Sequence, residues 1–307
     1  MAKFNLYITL TVTGCVIIYV IFTTRNRLGV LEGDSRNLQH NSNSSKQVFM
    51  KKHRPNNSKE RFEDFLITPT DQGDFEFIQF VSSRIVPPSE QPYNLVKTEA
   101  LKDYSQFQTQ PLIDRLFVKQ RDGKFFEAGA LDGEYLSSTL HLEMNYGWTG
   151  ILVEPNSDSF RKLLLKNRKS FCLNACLSPV PHPQKLFIEE KKRAAYNKVL
   201  NKQSSKAEAV ECFPLFSILS AVNMTSIDLV ISDIEGFEVK VLESFPFNLV
   251  NVKVLIIEWN HVNKSELNKL MAKNGFRRVL LDEGKSTHWL NGLYIRNDYA
   301  IPVPVSS

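Results

Sequence analysis

Cysteine is scarce: four residues in 307, with Cys15 inside an uncharged run near the start. That excludes a small disulfide-built scaffold. The other three, Cys172, Cys176 and Cys212, allow either one bridge with a free thiol or three buried thiols. No Cys/His spacing resembles a zinc site, and the six histidines include no i,i+4 pair. No Gly-Lys-Ser/Thr follows a glycine loop, and no third glycine completes a dinucleotide fingerprint, which weakens ATP and NAD readings. The folded part also lacks a basic surplus. Up to Glu60 there are nine Lys/Arg against three Asp/Glu, and beyond it 29 against 30. The net charge of +5 therefore belongs to the N-terminal region, and no nucleic-acid surface is indicated.

Phe4 to Thr24 carries no charge. Twenty-one residues at about 1.5 Å each span a hydrocarbon core of about 30 Å, so residues 4–24 are expected to cross a lipid bilayer. A cleaved signal peptide would need a small-x-small site, and Phe22-Thr23-Thr24-Arg25 is a poor one. Arg25 and Arg27 after the span lean toward a cytosolic C-terminal domain. The N-x-S/T triplets at Asn43, Asn56, Asn223 and Asn263 point the other way. Residues 25–61 are polar and aperiodic and read as a flexible stem.

The stretch from Lys124 to Glu154 organises the rest. Phe125-Phe126 open an apolar strand ending in Glu127; Gly129 and Gly133 follow; Ser137 to Tyr146 has a helical pattern; Ile151 to Val153 is a second strand ending in Glu154. That is a βαβ unit. The glycines permit a tight turn and close approach of a ligand to the main chain. Glu154, 27 residues after Glu127, is placed to accept hydrogen bonds from ribose hydroxyls. S-adenosylmethionine fits this pattern better than a phosphorylated nucleotide, having a ribose and an adenine but no phosphate. The alternative is a tight βα turn flanked by two solvated strand ends.

Residues 62–123 are expected to form a helical cap. Asp74 caps a helix bearing Phe77, Phe80 and Val81, with Phe75 also in the core, and Pro111 to Lys119 forms another helix. After Glu154 the pattern alternates: helix Ser157–Asn167 with Arg161, Lys162 and Lys166 toward solvent, strand Phe171–Leu177, an added strand at Lys185–Glu189, and a polar loop Lys191–Val210. Strands Ile227–Ile231 and Val252–Ile257, helix Ser265–Asn274 and the strand pair Phe276–Leu281 and Leu290–Ile295 complete it. Alternating βα units with a terminal hairpin predict an α/β fold with an open, mostly parallel, Rossmann-like sheet over residues 124–307.

Two blocks, EAGALDGEYLSSTLHLE and IDLVISDIEGFE, resemble the FkbM family of S-adenosylmethionine-dependent methyltransferases, with similarity running from Lys124 to Arg296. The resemblance implies the class I methyltransferase fold, with an antiparallel terminal strand. It implies that Glu127, Gly129 and Gly133 line the methionine side of the cofactor, that Glu154 binds its ribose, and that Asp233 and Glu235 sit at the reacting end. Asp233 and Glu258 on adjacent strand ends form a weaker candidate for a divalent ion, and His261 is a second candidate base. GWTGILVEPN and the anchored stem are similar to the metazoan Star branch of that family. That similarity implies a single-pass type II protein of endoplasmic reticulum, Golgi, endosome or plasma membrane, helping growth-factor-like transmembrane cargo to move. Two functions follow: a tethered trafficking protein whose cofactor site is vestigial, or an active O-methyltransferase on an unknown hydroxyl or carboxyl substrate.

Overall fold

The computed structural model describes residues 61–67, 70–96, 104–105, 109–189, 198–200, 207–279 and 291–302. The expected anchor at residues 4–24 and all of the stem but Arg61 lie outside them. Among the described residues no helix is long and apolar enough to cross a membrane.

Period-two burial builds the main sheet. In β1 (Lys124–Ala128), Phe125 and Phe126 are both fully buried but on opposite faces, as a strand covered on both sides requires. β1 pairs in parallel with β2 (Thr149–Val153) and β8 (Ser226–Ser232); β3 (Phe171–Leu173) extends one side and β9 (Asn251–Glu258) the other. β11 (Asn291–Arg296) runs antiparallel between β9 and β10 (Phe276–Val279). The order is β10-β11-β9-β8-β1-β2-β3, so successive strands wind outward to opposite sides from the parallel pair β1 and β8, the switch point where open α/β sheets hold ligands.

One face is covered by α1 (Phe62–Ile67), α2 (Phe75–Arg84), α6 (Leu215–Ala221), α7 (Glu238–Ser244) and α8 (Lys264–Lys273). α3 (Thr109–Phe117), α4 (Leu140–Tyr146) and α5 (Ser157–Leu164) cover the other. As expected, Asp74 caps α2, accepting from the Phe77 N–H at 3.1 Å, and Leu112, Ile113, Leu116 and Phe117 of α3 face inward. Phe77 is buried and Phe80 partly so, whereas Phe75, expected in the core, is 71% exposed at the first position of its helix.

Four expectations change. The helix predicted from Ser137 begins at Leu140, because Ser137 and Thr139 turn their hydroxyls to Glu127. Lys166, expected in solvent, is buried, with Nζ 2.6 Å from Glu134. The strand predicted over Phe171–Leu177 breaks at Asn174-Ala175, and β4 (Cys176–Leu177) joins a second sheet. That sheet, β4-β7-β5-β6, includes β5 (Gln184–Glu189), β6 (Lys198–Leu200) and β7 (Ala207–Phe213), so the described residues of the polar loop expected at Lys191–Val210, 198–200 and 207–210, are strand. Cys176 and Cys212, register partners on β4 and β7, are joined as a disulfide, and Cys172 is a buried free thiol pushed up to about 12 by burial.

Candidate cofactor site at the carboxyl edge of the sheet

Register brings the candidate residues together. Val153 pairs with Ala128, Ala128 with Ser232 and Ser232 with Ile257. The next residues along those four strands are Glu154, Gly129, Asp233 and Glu258. Three acids and a glycine therefore stand in one row where the parallel strands end.

Gly129 is the residue the row requires. Its φ is +82°, and a Cβ there would lie 2.2 Å from the Asp233 carbonyl oxygen. Only glycine lets the exits of β1 and β8 approach this closely. Gly133 (φ +74°) also turns the loop, but it packs against Leu163 and Arg168 and does not line the recess.

Glu127, which precedes Ala128 on β1 and stands outside the row, and Glu154 each hold a loop. Glu127 accepts from Ser137 Oγ and the Ser138 N–H, both at 3.1 Å, and from Thr139 Oγ1. Burial raises its pKa, opposed by Arg168. Glu154 points back toward the glycine turn, Oε2 accepting from the Leu131 N–H and Oε1 from the Asn156 N–H, both at 2.8 Å. Burial pushes it up to about 7, with Asp233 adding to the rise. Two lone-pair sites remain for a ligand hydroxyl, since a carboxylate offers about four.

Glu238 does the same for the loop after β8, accepting from the Ile234 and Gly236 N–H groups at 2.9 Å, and burial pushes it to about 7. Glu258 is buried. Its Oε1 accepts from Asn260 at 2.9 Å, while Oε2 meets no donor and neighbours Asp233. An oxygen in that position is satisfied by holding a proton and donating it to Asp233; burial and the neighbouring acids push Glu258 to about 9. Glu235 Oε2 lies 3.1 Å from His261 Nε2.

These elements enclose a recess lined by Glu127, Gly129, Ser138, Glu154, Asp233 and Glu235, with apolar walls that include Leu131, Leu136 and Phe237. Three lining residues, Leu131 (φ +49°), Leu136 (+62°) and Glu235 (+58°), hold left-handed backbone that costs about 1 kcal/mol or more each, a strain that collects at ligand sites. The recess is narrow, about 90 Å³ against roughly 300–1,000 Å³ for small-molecule pockets. Admitting a nucleoside therefore requires its side-chain walls to move. Phe237 also lines a second groove of about 560 Å³, with Leu66, Pro179, Val180, Lys185 and Lys240. Among the described residues no three His, Cys, Asp or Glu side chains form a metal-holding group.

Arg168 was not legible as a site residue. It stands in a Lys-Asn-Arg-Lys run that reads as solvated, yet it is fully buried. It donates to Glu143 Oε1 at 3.1 Å, to Ser137 Oγ and Thr139 Oγ1 at 3.2 Å, and to the Gly133 carbonyl. It pairs with Glu143, sets its charge beside Glu127 against the rise that burial causes, and ties the glycine turn to the serine-threonine loop. The one hint in the chain is the run Ser137-Ser138-Thr139, whose polar groups need buried partners.

Residues 127–278 match the family model described as the methyltransferase FkbM domain. No curated protein matches the chain. Among solved structures it is similar to magnesium protoporphyrin IX methyltransferase from Synechocystis PCC 6803 with bound SAM, at 10% identity, 62% of this chain, 78% of that one and a TM-score of 0.35. The corresponding values are 9%, 61%, 85% and 0.34 for a TehB-like SAM-dependent methyltransferase from Corynebacterium glutamicum. They are 12%, 62%, 89% and 0.32 for a SAM-dependent methyltransferase from Aquifex aeolicus. Likenesses at this level carry no argument about ligand or substrate. Residues 127–278, on a Rossmann-like, mostly parallel sheet, are thus similar to a methyltransferase domain of the FkbM type.

Proposed function

We propose that the domain binds S-adenosylmethionine in the recess and transfers its methyl group to an acceptor. One observation carries this reading: among the described residues every ionisable side chain lining the recess is an acid, Glu127, Glu154, Asp233 and Glu235. Phosphorylated nucleotides are repelled there, whereas a nucleoside bearing a sulfonium and an ammonium is attracted. The turn at Gly129 lets the exits of β1 and β8 lie side by side at the floor of the recess, the Asp233 carbonyl standing where a Cβ would be. Glu154 and the Leu131 amide would face the ribose, Ala175 and Cys176 the adenine side, and Asp233 and Glu235 the reacting end. When bound, the donor supplies an electrophilic methyl carbon. The chain's own part is to position it and to hold negative charge beside it. The test is calorimetry of the full chain with S-adenosylmethionine. Micromolar affinity that falls at least tenfold in Gly129→Val supports the reading, and no heat at 1 mM donor overturns it.

A second reading keeps the fold and drops the chemistry: a Star-like, single-pass type II protein whose lumenal domain escorts transmembrane cargo from the endoplasmic reticulum. The Cys176–Cys212 disulfide favours an oxidising compartment, and Asn223 and Asn263 are exposed as glycan acceptors must be. The methyl donor is made in the cytosol, which weighs against catalysis there. Mobility of the full chain before and after glycosidase treatment separates the two sides of the membrane. Absence of any glycan at Asn43, Asn56, Asn223 and Asn263 would remove the lumenal placement.

A further inference from the structure

The recess and the groove beside it carry opposite charge. Among the described residues, the ionisable groups lining the recess are all acids, whereas those lining the groove are His182, Lys185 and Lys240. The two spaces share one wall, the half-buried Phe237. The groove is braced on two sides. Its apolar walls come from Phe65 and Leu66 of α1, from the turn between β4 and β5, and from Phe237. Prolines at 179, 181 and 183 fix φ along that turn, and Ser178 Oγ donates to the His182 carbonyl at 2.7 Å. Gln72 ties the turn to α7: its N–H donates to the Pro181 carbonyl and its Nε2 to the Ser244 carbonyl, both at 3.0 Å. A volume of about 560 Å³ lies within the range of small-molecule sites. Both lysines are open to an anion. Lys240 is exposed and forms no ion pair among the described residues. Lys185 stands 3.5 Å from Glu63, but both side chains are about half exposed, and a pair in that setting holds weakly.

We propose that this groove is a second binding site, separate from the recess, and that its ligand is a small amphipathic acid. The acidic group, a phosphate, sulfate or carboxylate, sits between Lys185 and Lys240, which offer ammonium donors and meet no competing acid among the lining residues. The apolar body lies along Leu66 and Val180 and ends against Phe237. Charge sets this orientation. Beyond Phe237 stand Glu127, Glu154, Asp233 and Glu235, so an anionic end pointed toward the recess is repelled and one pointed away is held. The same contrast excludes the recess as the place where such an acid binds. The site does not depend on the methyl-transfer reading: the groove keeps its walls and its charge whether or not the recess takes a nucleoside.

The test is calorimetry of the full chain with two probes of one shape, 1-naphthyl phosphate and the uncharged 1-naphthol. The wild-type chain should bind the phosphate more tightly by about tenfold or more, the difference that charge-assisted contacts to two lysines supply. A variant carrying both Lys185→Met and Lys240→Met should bind the two probes alike, with naphthol affinity within about threefold of wild type, since methionine keeps the apolar stems. Leu66→Glu should weaken both probes, and the phosphate more, by placing an acid on the apolar wall. Equal affinity of the wild-type chain for the two probes overturns the proposal. So does a preference for the phosphate that survives in the double-lysine variant, which would place the anion on other basic residues. Octaglutamate tests the other occupant: if it binds through the two lysines while naphthyl phosphate gives no heat, the groove takes an acidic peptide and the small-molecule assignment fails. Unfolding midpoints of all three chains in urea show that each variant is folded. S-adenosylmethionine is absent from every titration, so failure of the cofactor reading leaves these outcomes unchanged.

Discussion

The two edges of the main sheet use the same chemical group in opposite ways. At the amino edge, Asp228 lies 2.5 Å from Lys253 Nζ and accepts the Lys124 N–H at 2.7 Å. At the carboxyl edge, Glu154, Asp233 and Glu258 stand in a row, and among the described residues no Lys, Arg or His forms an ion pair with Glu154 or Glu258. One further acid beside that edge, Glu127, lies in the field of the buried Arg168, whose charge opposes the rise that burial causes. Paired acids are structural. Glu154 and Glu258, buried without such a cation and raised toward 7 and 9, are held at a cost that folding alone does not explain, and a cationic ligand would offset it.

The largest expected effect breaks the paired side. Arg168→Met leaves Glu127 and Glu143 buried without their cation, and stability should fall by about 3–5 kcal/mol in urea unfolding. Lysine should rescue only part of this, because one ammonium cannot reach Glu143, Gly133, Ser137 and Thr139 at once. A loss under 1 kcal/mol would show the network to be incidental.

Next comes Glu258 in the row at the carboxyl edge. The folded pKa of Glu258, about 9, lies above the ordinary carboxylate value. The folded chain therefore binds more protons than the unfolded chain between about pH 4.5 and 9, and stability falls as pH rises through that window. Glu258→Gln keeps a donor for Asp233 and removes this slope. At pH 7 the variant should be more stable by on the order of 1–3 kcal/mol, with the gain growing toward pH 9 and vanishing near pH 4.5. A pH-independent difference would mean that Glu258 does not hold its proton.

Much of this arrangement can be read from the chain alone. Phe125-Phe126, Ile227–Ile231 and Val252–Ile257 are apolar without interruption because both faces of those strands are covered, and each run ends at or just before the acidic edge of the sheet. The second sheet is hidden because β7 begins exposed: in Ala207–Phe213, the consecutive residues Glu208 and Ala209 face solvent, and the segment looks like a polar loop. The break after Leu173 is invisible because Asn174 earns its place through tertiary contacts, donating to the Glu154 and Pro155 carbonyls. The acids were legible as a group, but the division of labour among them was not. Whether a carboxylate serves a ligand or holds a loop depends on which backbone amides the fold brings to it.

A smaller effect tests the ligand end. Because burial holds Glu154 at about 7, a cationic donor should bind more weakly as pH falls through that value, several-fold between pH 8 and 6. The sign follows from charge: protonation removes the attraction. Glu154→Gln should bind more weakly at pH 8 and lose most of the pH dependence in calorimetry. A wild-type affinity constant across this range would assign Glu154 only to the Leu131 and Asn156 amides that it already holds.

The smallest effect belongs to the amino edge. In Lys253→Met, Asp228 keeps the Lys124 N–H, so no carboxylate is stranded without a donor. Lys253 is 29% exposed at its side chain and its stem lies near Tyr299, 5.6 Å from Nζ to the ring centroid, so methionine retains much of the packing. The loss should stay near or below about 1 kcal/mol. It should also shrink in 0.5 M salt, since a pair in contact with water is screened. A loss as large as that of Arg168→Met would show that pairing with a cation is as costly to break at this partly exposed edge as in the interior. The distinction between the edges would then rest on burial of the carboxylate and not on the missing cation.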